Sequence, residues 1–288
     1  MKKSGRTTLG LTSALAAIAV CVMLPAGAGA SVAQLSNSPG QSCFIAPDNE
    51  LNCWGYRASN TFILSPPEPY RLDEVPTPTD GLAGIVSDVS TASSHSCAVA
   101  SGAAFCWGLN RSGEIGDGTY YKSELPKAVD GLASGVTDIE TGPYGTCAIS
   151  TGALFCWGYG MSQLFPEGTD VSRPAQVPGM ESGVTAVSID SYRGCAVVSG
   201  KAMCWGWYSD LAGRDSADAN LPPGLAAGLD SGVQEISVGA TSSCAIVSGE
   251  ARCWGRNSNG QLGDGTTSDT TGSESRQVAG LASDVTKI

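Results

Sequence analysis

The stretch Cys244-Ala-Ile-Val-Ser-Gly-Glu-Ala-Arg-Cys253-Trp-Gly255 decides the fold of this 288-residue chain. Ser248-Gly249 predicts a two-residue hairpin turn, because glycine supplies the positive φ that such turns need. Counting outward from that turn places Cys244 opposite Cys253 at a non-hydrogen-bonded position, where Cα atoms approach most closely. This spacing suits a disulfide. The stretch therefore predicts a β-hairpin closed by its own disulfide.

The same pattern occurs five times along the chain. Each unit has a first cysteine, a second cysteine nine or ten residues later that is followed by Trp-Gly, and a valine eleven residues before the first cysteine. The predicted disulfide pairs are Cys43 with Cys53, Cys97 with Cys106, Cys147 with Cys156, Cys195 with Cys204, and Cys244 with Cys253. The valines stand 54, 50, 48 and 49 residues apart. This period is typical of a propeller blade or a solenoid repeat.

The units contain strands and no helical periodicity, which predicts an all-β protein. In the first unit one extra residue, within Asp48-Asn49-Glu50, calls for a three-residue loop or a bulge. Both faces of each hairpin are apolar, and a sheet buried on both sides fits radially packed blades, with every Cys-Trp-Gly tryptophan between blades. We therefore predict a β-propeller over 31–288. Its repeats begin near 32, 86, 136, 184 and 233, and the first strand of a sixth begins at 285.

Residues 1–30 have the features of a secretory signal peptide. Lys2, Lys3 and Arg6 precede an apolar run, and Ala28-Gly-Ala30 offers a small-residue cleavage site. A lipoprotein signal using Cys21 fits less well, because Val20 is large for the position before the modified cysteine. Cleavage leaves ten cysteines, and an even number in an exported chain indicates disulfides. We expect a secreted or cell-surface protein, periplasmic where the host has an outer membrane, with no membrane span in the mature chain.

The charge and the cysteine spacing exclude several kinds of partner. Lys and Arg number 16 against 27 Asp and Glu, so the electrostatic footprint of a nucleic-acid-binding protein is missing. Zinc is a poorer explanation of the cysteines than disulfides, because structural zinc sites use two to four intervening residues. We expect neither a metal nor a cofactor.

Two stretches resemble the regulator of chromosome condensation repeat family. They run from Trp107-Gly108 through Asn110 to Gly116-Asp-Gly-Thr119, and likewise from Trp254 to Thr266. The resemblance implies a propeller, usually of seven blades, so the terminal strand either completes the first blade or belongs to a truncated member. The Gly-Asp-Gly loops are better explained as turns than as calcium sites, because each supplies a lone carboxylate.

The resemblance also bears on partners. One nuclear member of the family contacts a small GTPase through the side of the propeller that carries a histidine. This chain has one histidine, His95, and an exported protein is not expected to meet a GTPase. The Cys-Trp-Gly form with an export signal looks like a secreted bacterial branch, which includes an inhibitor of β-lactamase. That likeness implies an extracellular or envelope protein as partner.

Residues that vary between units at one rim are the candidate binding site. Tyrosine, tryptophan and arginine on scaffolded loops are typical of protein-binding hot spots. The candidates are His95, Tyr144, Tyr192, Arg193, Trp207 and Tyr208. The sequence predicts an aromatic cluster around the third and fourth units.

No catalytic constellation is evident. His95 has no partner identifiable from sequence, and no acidic residue recurs at a position suggesting a central pair of carboxylates. We expect a non-enzymatic binding scaffold. Two alternatives remain open at this point: an extracellular hydrolase or lyase acting on surface glycans, and a structural or truncated repeat protein without a ligand of its own.

Overall fold

The computed structural model describes residues 34–56, 72–207, 220–270 and 274–288. They belong to one compact unit that spans Val32–Ile288. The described residues form five four-stranded antiparallel sheets, each built from four strands that are consecutive in the chain. The sheets are the predicted blades. The predicted signal peptide lies outside the described residues.

The strands of blades 1 to 3 and one 3-10 helix cover the first part of the chain. Blade 1 comprises β1 Gln34–Asn37, β2 Gln41–Ile45, β3 Leu51–Tyr56 and β4 Leu72–Pro78. Blade 2 comprises β5 Val86–Thr91, β6 His95–Ala100, β7 Ala103–Gly108 and β8 Ser123–Ala128. Blade 3 comprises β9 Val136–Gly142, β10 Gly145–Ser150, β11 Ala153–Trp157 and β12 Ala175–Gln176, with the 3-10 helix Tyr159–Leu164 between its last two strands.

Blades 4 and 5 follow the same order. Blade 4 comprises β13 Val184–Asp190, β14 Arg193–Val198, β15 Lys201–Trp207 and β16 Asn220–Leu225. Blade 5 comprises β17 Val233–Val238, β18 Ser242–Val247, β19 Glu250–Gly255 and β20 Arg276–Gln277. No helix in the described part of the chain is long and apolar enough to cross a bilayer.

The hairpin register follows the sequence prediction. Val247 lies opposite Glu250 and Cys244 opposite Cys253, and all five predicted disulfides are formed, with Cα–Cα distances of 4.0–4.1 Å. Ser248 and Gly249 both have positive φ, 51° and 85°, as a type I′ turn requires. In blade 1 the backbone NH of Ala46 donates to the Glu50 carbonyl, which leaves the predicted three-residue loop. Each disulfide closes a short loop, which stabilises the folded state by about 2–3 kcal/mol in the chain-entropy model.

Neighbouring blades pack by one repeated contact. The tryptophan that follows the third-strand cysteine lies against the cysteine-bearing face of the preceding blade. These four tryptophans are at most 5% exposed: Trp107, Trp157, Trp205 and Trp254. Trp54 of blade 1 differs, because it is only half-buried and its ring meets Phe44 edge-on at 6.1 Å. The prediction that tryptophans pack between blades is thus confirmed for blades 2 to 5.

The first strands of successive blades are joined by side chains. A residue two positions after the unit valine accepts a hydrogen bond from a backbone NH of the next first strand. Gln34 accepts from Val89 at 3.1 Å, and Asp88 accepts from Ile139 at 2.7 Å. The terminal segment 285–288 continues this series, because Ile288 donates to Glu235 at 3.2 Å. The segment therefore holds the place of a sixth first strand without forming a strand. The alternative in which it completes the first blade is wrong, since blade 1 has four strands of its own.

Candidate binding surface

One end of the propeller collects the loops that vary most between units. In each antiparallel blade, the loop between the first and second strands and the loop between the third and fourth strands open at the same end. We call this end the loop rim. The aromatic candidates predicted from sequence all come from these two loop positions.

Three tyrosines from blades 3 and 4 meet on the loop rim. The rings of Tyr144 and Tyr192 stack with centroids 5.5 Å apart and planes inclined by 26°. Tyr159 stands edge-on to Tyr192, with centroids 6.5 Å apart. Tyr144 is 43% exposed and Tyr159 is 60% exposed. We call Tyr144, Tyr159 and Tyr192 the tyrosine cluster; the predicted aromatic grouping around units three and four is present in the structure.

Hydrogen bonds within blade 3 and from blade 3 to blade 4 hold the backbone of the tyrosine cluster in place. The NH of Gly160 donates to the carbonyl of Tyr144 at 2.9 Å. The Gln163 side chain donates to the carbonyl of Tyr192 at 2.9 Å. A side chain at Gly160 would collide with the carbonyl of Ser191, so glycine is required where the two loops approach. The rings therefore sit on a preorganised backbone, which lowers the entropy lost on binding.

Blade 3 departs from the loop structure of blades 2 and 5. In blade 2, the buried Asn110 amide donates to the carbonyls of Thr119 and Tyr121, and its oxygen accepts from the Ile115 NH. Asn257 does the equivalent in blade 5 by bonding Thr266 and Leu262. Blade 3 has the 3-10 helix Tyr159–Leu164 instead. Tyr159 is thus exposed at a position where blade 3 has the 3-10 helix instead of the asparagine-centred loop.

The altered loop leaves an unsatisfied donor behind it. Trp157 donates its indole NH to the carbonyl of Glu114 in the preceding blade at 2.7 Å. Trp205 occupies the corresponding place against blade 3, is fully buried, and its Nε1 finds no acceptor among the described residues. A buried unpaired donor costs about 1–3 kcal/mol. Blade 3 carries this cost at the loop that presents the aromatic surface.

Two of the predicted rim residues are interior instead. His95 is 0% exposed, its Nε2 lies 2.8 Å from the Thr146 hydroxyl of the next blade, and burial lowers its pKa to about 3. It is the first residue of β6, so its side chain enters the interface between blades 2 and 3. Its place in a binding rim is therefore wrong, because no ligand reaches a side chain enclosed between two sheets.

Arg193, another predicted rim residue, is also buried. It is 7% exposed, pairs with Asp190 at 3.2 Å, and donates to the carbonyl of Gly239 in blade 5. The guanidinium thus ties the loops of blades 4 and 5 together. Arg193 supports the rim rather than forming it.

The remaining aromatic candidates are placed only in part. Trp207 ends β15, where the structure describes its backbone, and Tyr208 lies outside the described residues. Two further tyrosines of the loop rim stand clear of the tyrosine cluster in blade 2. Tyr120 is 54% exposed and Tyr121 is 81% exposed.

A cavity of about 740 Å³ runs along the first strands. Four carboxylates line it, Asp88, Asp138, Glu140 and Glu235, together with Lys287 of the terminal segment. Lys287 pairs with Glu235 at 2.7 Å. We call this cavity the carboxylate channel.

The carboxylates of the channel perturb one another. Burial raises the pKa of Asp138 to about 7, and the neighbouring Asp88 raises it as well. Burial raises the pKa of Glu140 to about 8, with further contributions from Asp138 and Asp88. Proximity and low dielectric both disfavour the charged forms. Near neutral pH the channel therefore holds fewer negative charges than its composition suggests.

The recurring acids were missed at the sequence level, and the expectation that none recurs centrally is wrong. Asp88, Asp138 and Glu235 each stand two residues after the unit valine. This shared offset could have predicted the cluster from sequence, because side chains at equal positions in successive first strands point toward one axis of the propeller.

The Gly-Asp-Gly loops act as turns. Asp117 accepts hydrogen bonds from the NH and hydroxyl of Thr119 at 3.0 and 2.7 Å. Asp264 makes the same contacts with Thr266 and also meets Arg276 at 3.0 Å. Over the described ranges, no three His, Cys, Asp or Glu side chains are grouped as a metal site would need.

Comparison with known proteins places the repeat and the fold. Residues 101–149 match the model of the Regulator of chromosome condensation (RCC1) repeat. The fold is similar to that of Prp20p from Saccharomyces cerevisiae, a protein described with its binding properties to Gsp1p and histones. Identity is 18%, with 87% of this chain and 64% of that chain covered and a TM-score of 0.71. No protein of curated function matches the chain.

A human structure, WBSCR16, is similar to the same degree. Identity is 21%, with 86% of this chain and 67% of that chain covered and a TM-score of 0.71. The chain thus spans about two thirds of the length of these two proteins. At such identities the likeness concerns the fold.

Proposed function

We propose that this propeller, in which residues 101–149 match the RCC1 repeat, is an exported, non-catalytic scaffold that captures a protein through the tyrosine cluster. The observation that carries the proposal is the contact of the exposed Tyr144 and Tyr159 with the partly buried Tyr192 on the loop rim. Tyrosine offers large, rigid, amphipathic contact area at low entropic cost, and it is enriched in binding hot spots.

Export is supported by the cysteines. Five intra-hairpin disulfides join all ten cysteines of the described blades, which fits an oxidising compartment. The partner we propose is accordingly an extracellular or envelope protein, as in the secreted bacterial branch that the sequence resembles.

Catalysis forms no part of the proposal, although the channel contains close carboxylates. Asp88 accepts hydrogen bonds from the backbone of Val89 and Ile139, and Asp138 accepts from Ile139 and Val187. Their oxygens thus link first strands of successive blades. A glycosidase needs two carboxyl groups directed at a substrate, with separations of about 5–9.5 Å. The observed engagement favours a structural role for this pair.

The test uses the oxidised protein immobilised as bait for envelope and secreted proteins of the producing organism, with bound proteins identified by mass spectrometry. Replacing Tyr144 and Tyr159 together by alanine should weaken capture of the specific partner about tenfold or more, as loss of hot-spot residues does. Tyr121→Ala is the control, because Tyr121 is the same residue type, is more exposed than Tyr144 and Tyr159, and lies outside the cluster. Equal capture by the double variant and the control would refute the proposal.

A further inference from the structure

We infer that the partner presents a basic protein surface, whose arginine or lysine side chains lie on the exposed rings of Tyr144 and Tyr159 beside the carboxylate channel. This inference rests on the proposed function and adds the chemistry of the partner. Three observations support it: the open ring faces, the charge of the neighbouring channel, and the charge of the whole molecule.

The tyrosine cluster has ring faces open to a cation. Tyr144 stacks on Tyr192 by one face, and with 43% of its surface exposed it leaves the other side open. Tyr159, 60% exposed, contacts Tyr192 only edge-on. Arg193, next to Tyr192 in the sequence, is paired with Asp190 inside blade 4. A guanidinium or ammonium over a tyrosine face is stabilised by the ring quadrupole.

The lining of the carboxylate channel follows the first strands as far as Glu140 in β9, and the loop after β9 bears Tyr144. Glu140 lies two residues before the end of β9, and Tyr144 follows four residues after Glu140 in the loop to β10, so their Cα atoms are at most about 13 Å apart. The ionisable side chains facing the channel are Asp88 from β5, Asp138 and Glu140 from β9, Glu235 from β17 and Lys287 from the terminal segment. β1 and β13 contribute uncharged side chains, including Gln34 and Ser188. Lys287 pairs with Glu235, and Asp138 and Glu140 gain charge only as the pH rises through about 7 and 8, so the channel becomes complementary to a basic group above neutral pH.

The charge of the entire chain acts in the same direction. Acidic residues outnumber basic ones by 27 to 16, which gives a net charge of −11. Such a field attracts a basic partner over distances of about a Debye length and raises the association rate. The tyrosine cluster supplies aromatic contact area, and the negative charge around it favours a positively charged partner.

A pH dependence should accompany binding. The pKa values of Asp138 and Glu140 are raised to about 7 and about 8, so both ionise further as the pH rises from 6 to 8.5. A cationic side chain nearby favours their charged forms. Binding of a basic partner should therefore tighten over this range and release protons.

The experiment measures binding of a synthetic octapeptide of alternating arginine and glycine to the full oxidised protein by isothermal titration calorimetry. The expected result is saturable binding that weakens about tenfold between 50 and 500 mM salt, because screening removes the steering charge. Tyr144→Leu combined with Tyr159→Leu keeps apolar area without a ring and should weaken binding about tenfold, whereas the two Tyr→Phe changes should retain it. Glu140→Gln should weaken it about threefold.

The control variant is Tyr121→Leu, which makes the same change on the same rim away from the channel and should bind like the wild type. A peptide with glutamate in place of arginine should not bind. Absence of arginine-peptide binding, or equal affinity of the double leucine variant and the wild type, would overturn the inference. A captured natural partner that depends on the tyrosines but is insensitive to salt would also overturn it while leaving the proposed function intact.

Discussion

His95 is the single histidine of the chain, and its imidazole is held neutral between blades 2 and 3. Nδ1 lies 3.2 Å from the Ser94 hydroxyl and Nε2 lies 2.8 Å from that of Thr146. Both ring nitrogens thus have partners that accommodate the neutral form. Charging the ring would place an uncompensated cation inside the interface.

This environment makes His95 a source of acid sensitivity. Its folded pKa of about 3 lies below its unfolded value of 6.5, so only the unfolded chain gains a proton as the pH falls below 6.5. Stability contributed by the neutral ring is complete above pH 6.5 and is lost progressively toward pH 3, with a loss of about 2–3 kcal/mol at pH 4.5. Urea unfolding of the oxidised wild type and of His95→Gln should show a smaller fall between pH 6.5 and 4.5 in the variant.

The comparison of the two proteins isolates the histidine, since no other imidazole exists in the chain. His95→Gln is expected to cost some stability at pH 7.5, where the native ring is well packed. An identical decline of both proteins between pH 6.5 and 4.5 would show that the ring is not kept neutral.

At the scale of the element, the hairpin turns contain backbone strain, because residues other than glycine have positive φ in them. In four blades the two turn residues have positive φ, and the first of them is Ser or Thr: Ser101, Thr151, Ser199 and Ser248. Glycine tolerates this conformation, whereas a β-branched residue in it is a genuine outlier. Thr151, at φ 50°, is the most unfavourable of the four.

Thr151→Asn should stabilise the protein. Asparagine followed by glycine is the preferred type I′ pair, and the change removes a β-branched side chain from the left-handed region. We expect a gain of about 0.5–1 kcal/mol, measured as a higher midpoint in thermal or urea unfolding. Ser199→Asn is the matched control with a smaller gain, because serine is not β-branched. A midpoint unchanged or lowered by Thr151→Asn would contradict the assignment of strain.

The elements differ in how far sequence predicts them. The hairpins, their register and the disulfides follow from local counting, because a two-residue turn fixes every opposing pair. The 3-10 helix Tyr159–Leu164 is not predictable in that way, since its one clear signal is the loss of the Asn-to-Thr loop pattern. The burial of His95 depends on Thr146, which lies 51 residues away. Contacts between blades of this kind have no local signature.

At the scale of the whole molecule, repetition places like residues on one axis. The unit offset that sets Asp88, Asp138 and Glu235 two residues after each valine also directs them to the carboxylate channel. The same offset makes Gln34, Asp88 and Glu235 the links between first strands. The residue two positions after the unit valine thus both forms hydrogen bonds between neighbouring first strands and places carboxylates in the channel.

The accumulated charge should make the propeller less stable in mild base. The folded pKa of Glu140, about 8, exceeds its ordinary value of 4.5, so the folded state holds a proton that the unfolded chain has released. This contribution is complete below about pH 4.5 and is lost as the pH rises toward 8. Wild-type stability, measured by urea unfolding, should therefore fall between pH 5 and 8.5, and Glu140→Gln should remove about 2–4 kcal/mol of that fall.

Glu167→Gln provides the comparison, because Glu167 is exposed on the loop of blade 3, far in sequence from the channel strands. It should follow the wild-type curve. Because His95 acts below pH 6.5 and favours higher pH, the two effects have opposite signs and their sum sets a stability maximum at intermediate pH. If Glu140→Gln and Glu167→Gln decline in parallel from pH 5 to 8.5, the first strands do not force Glu140 together with Asp138 and Asp88, and the repeated acids are separated rather than convergent.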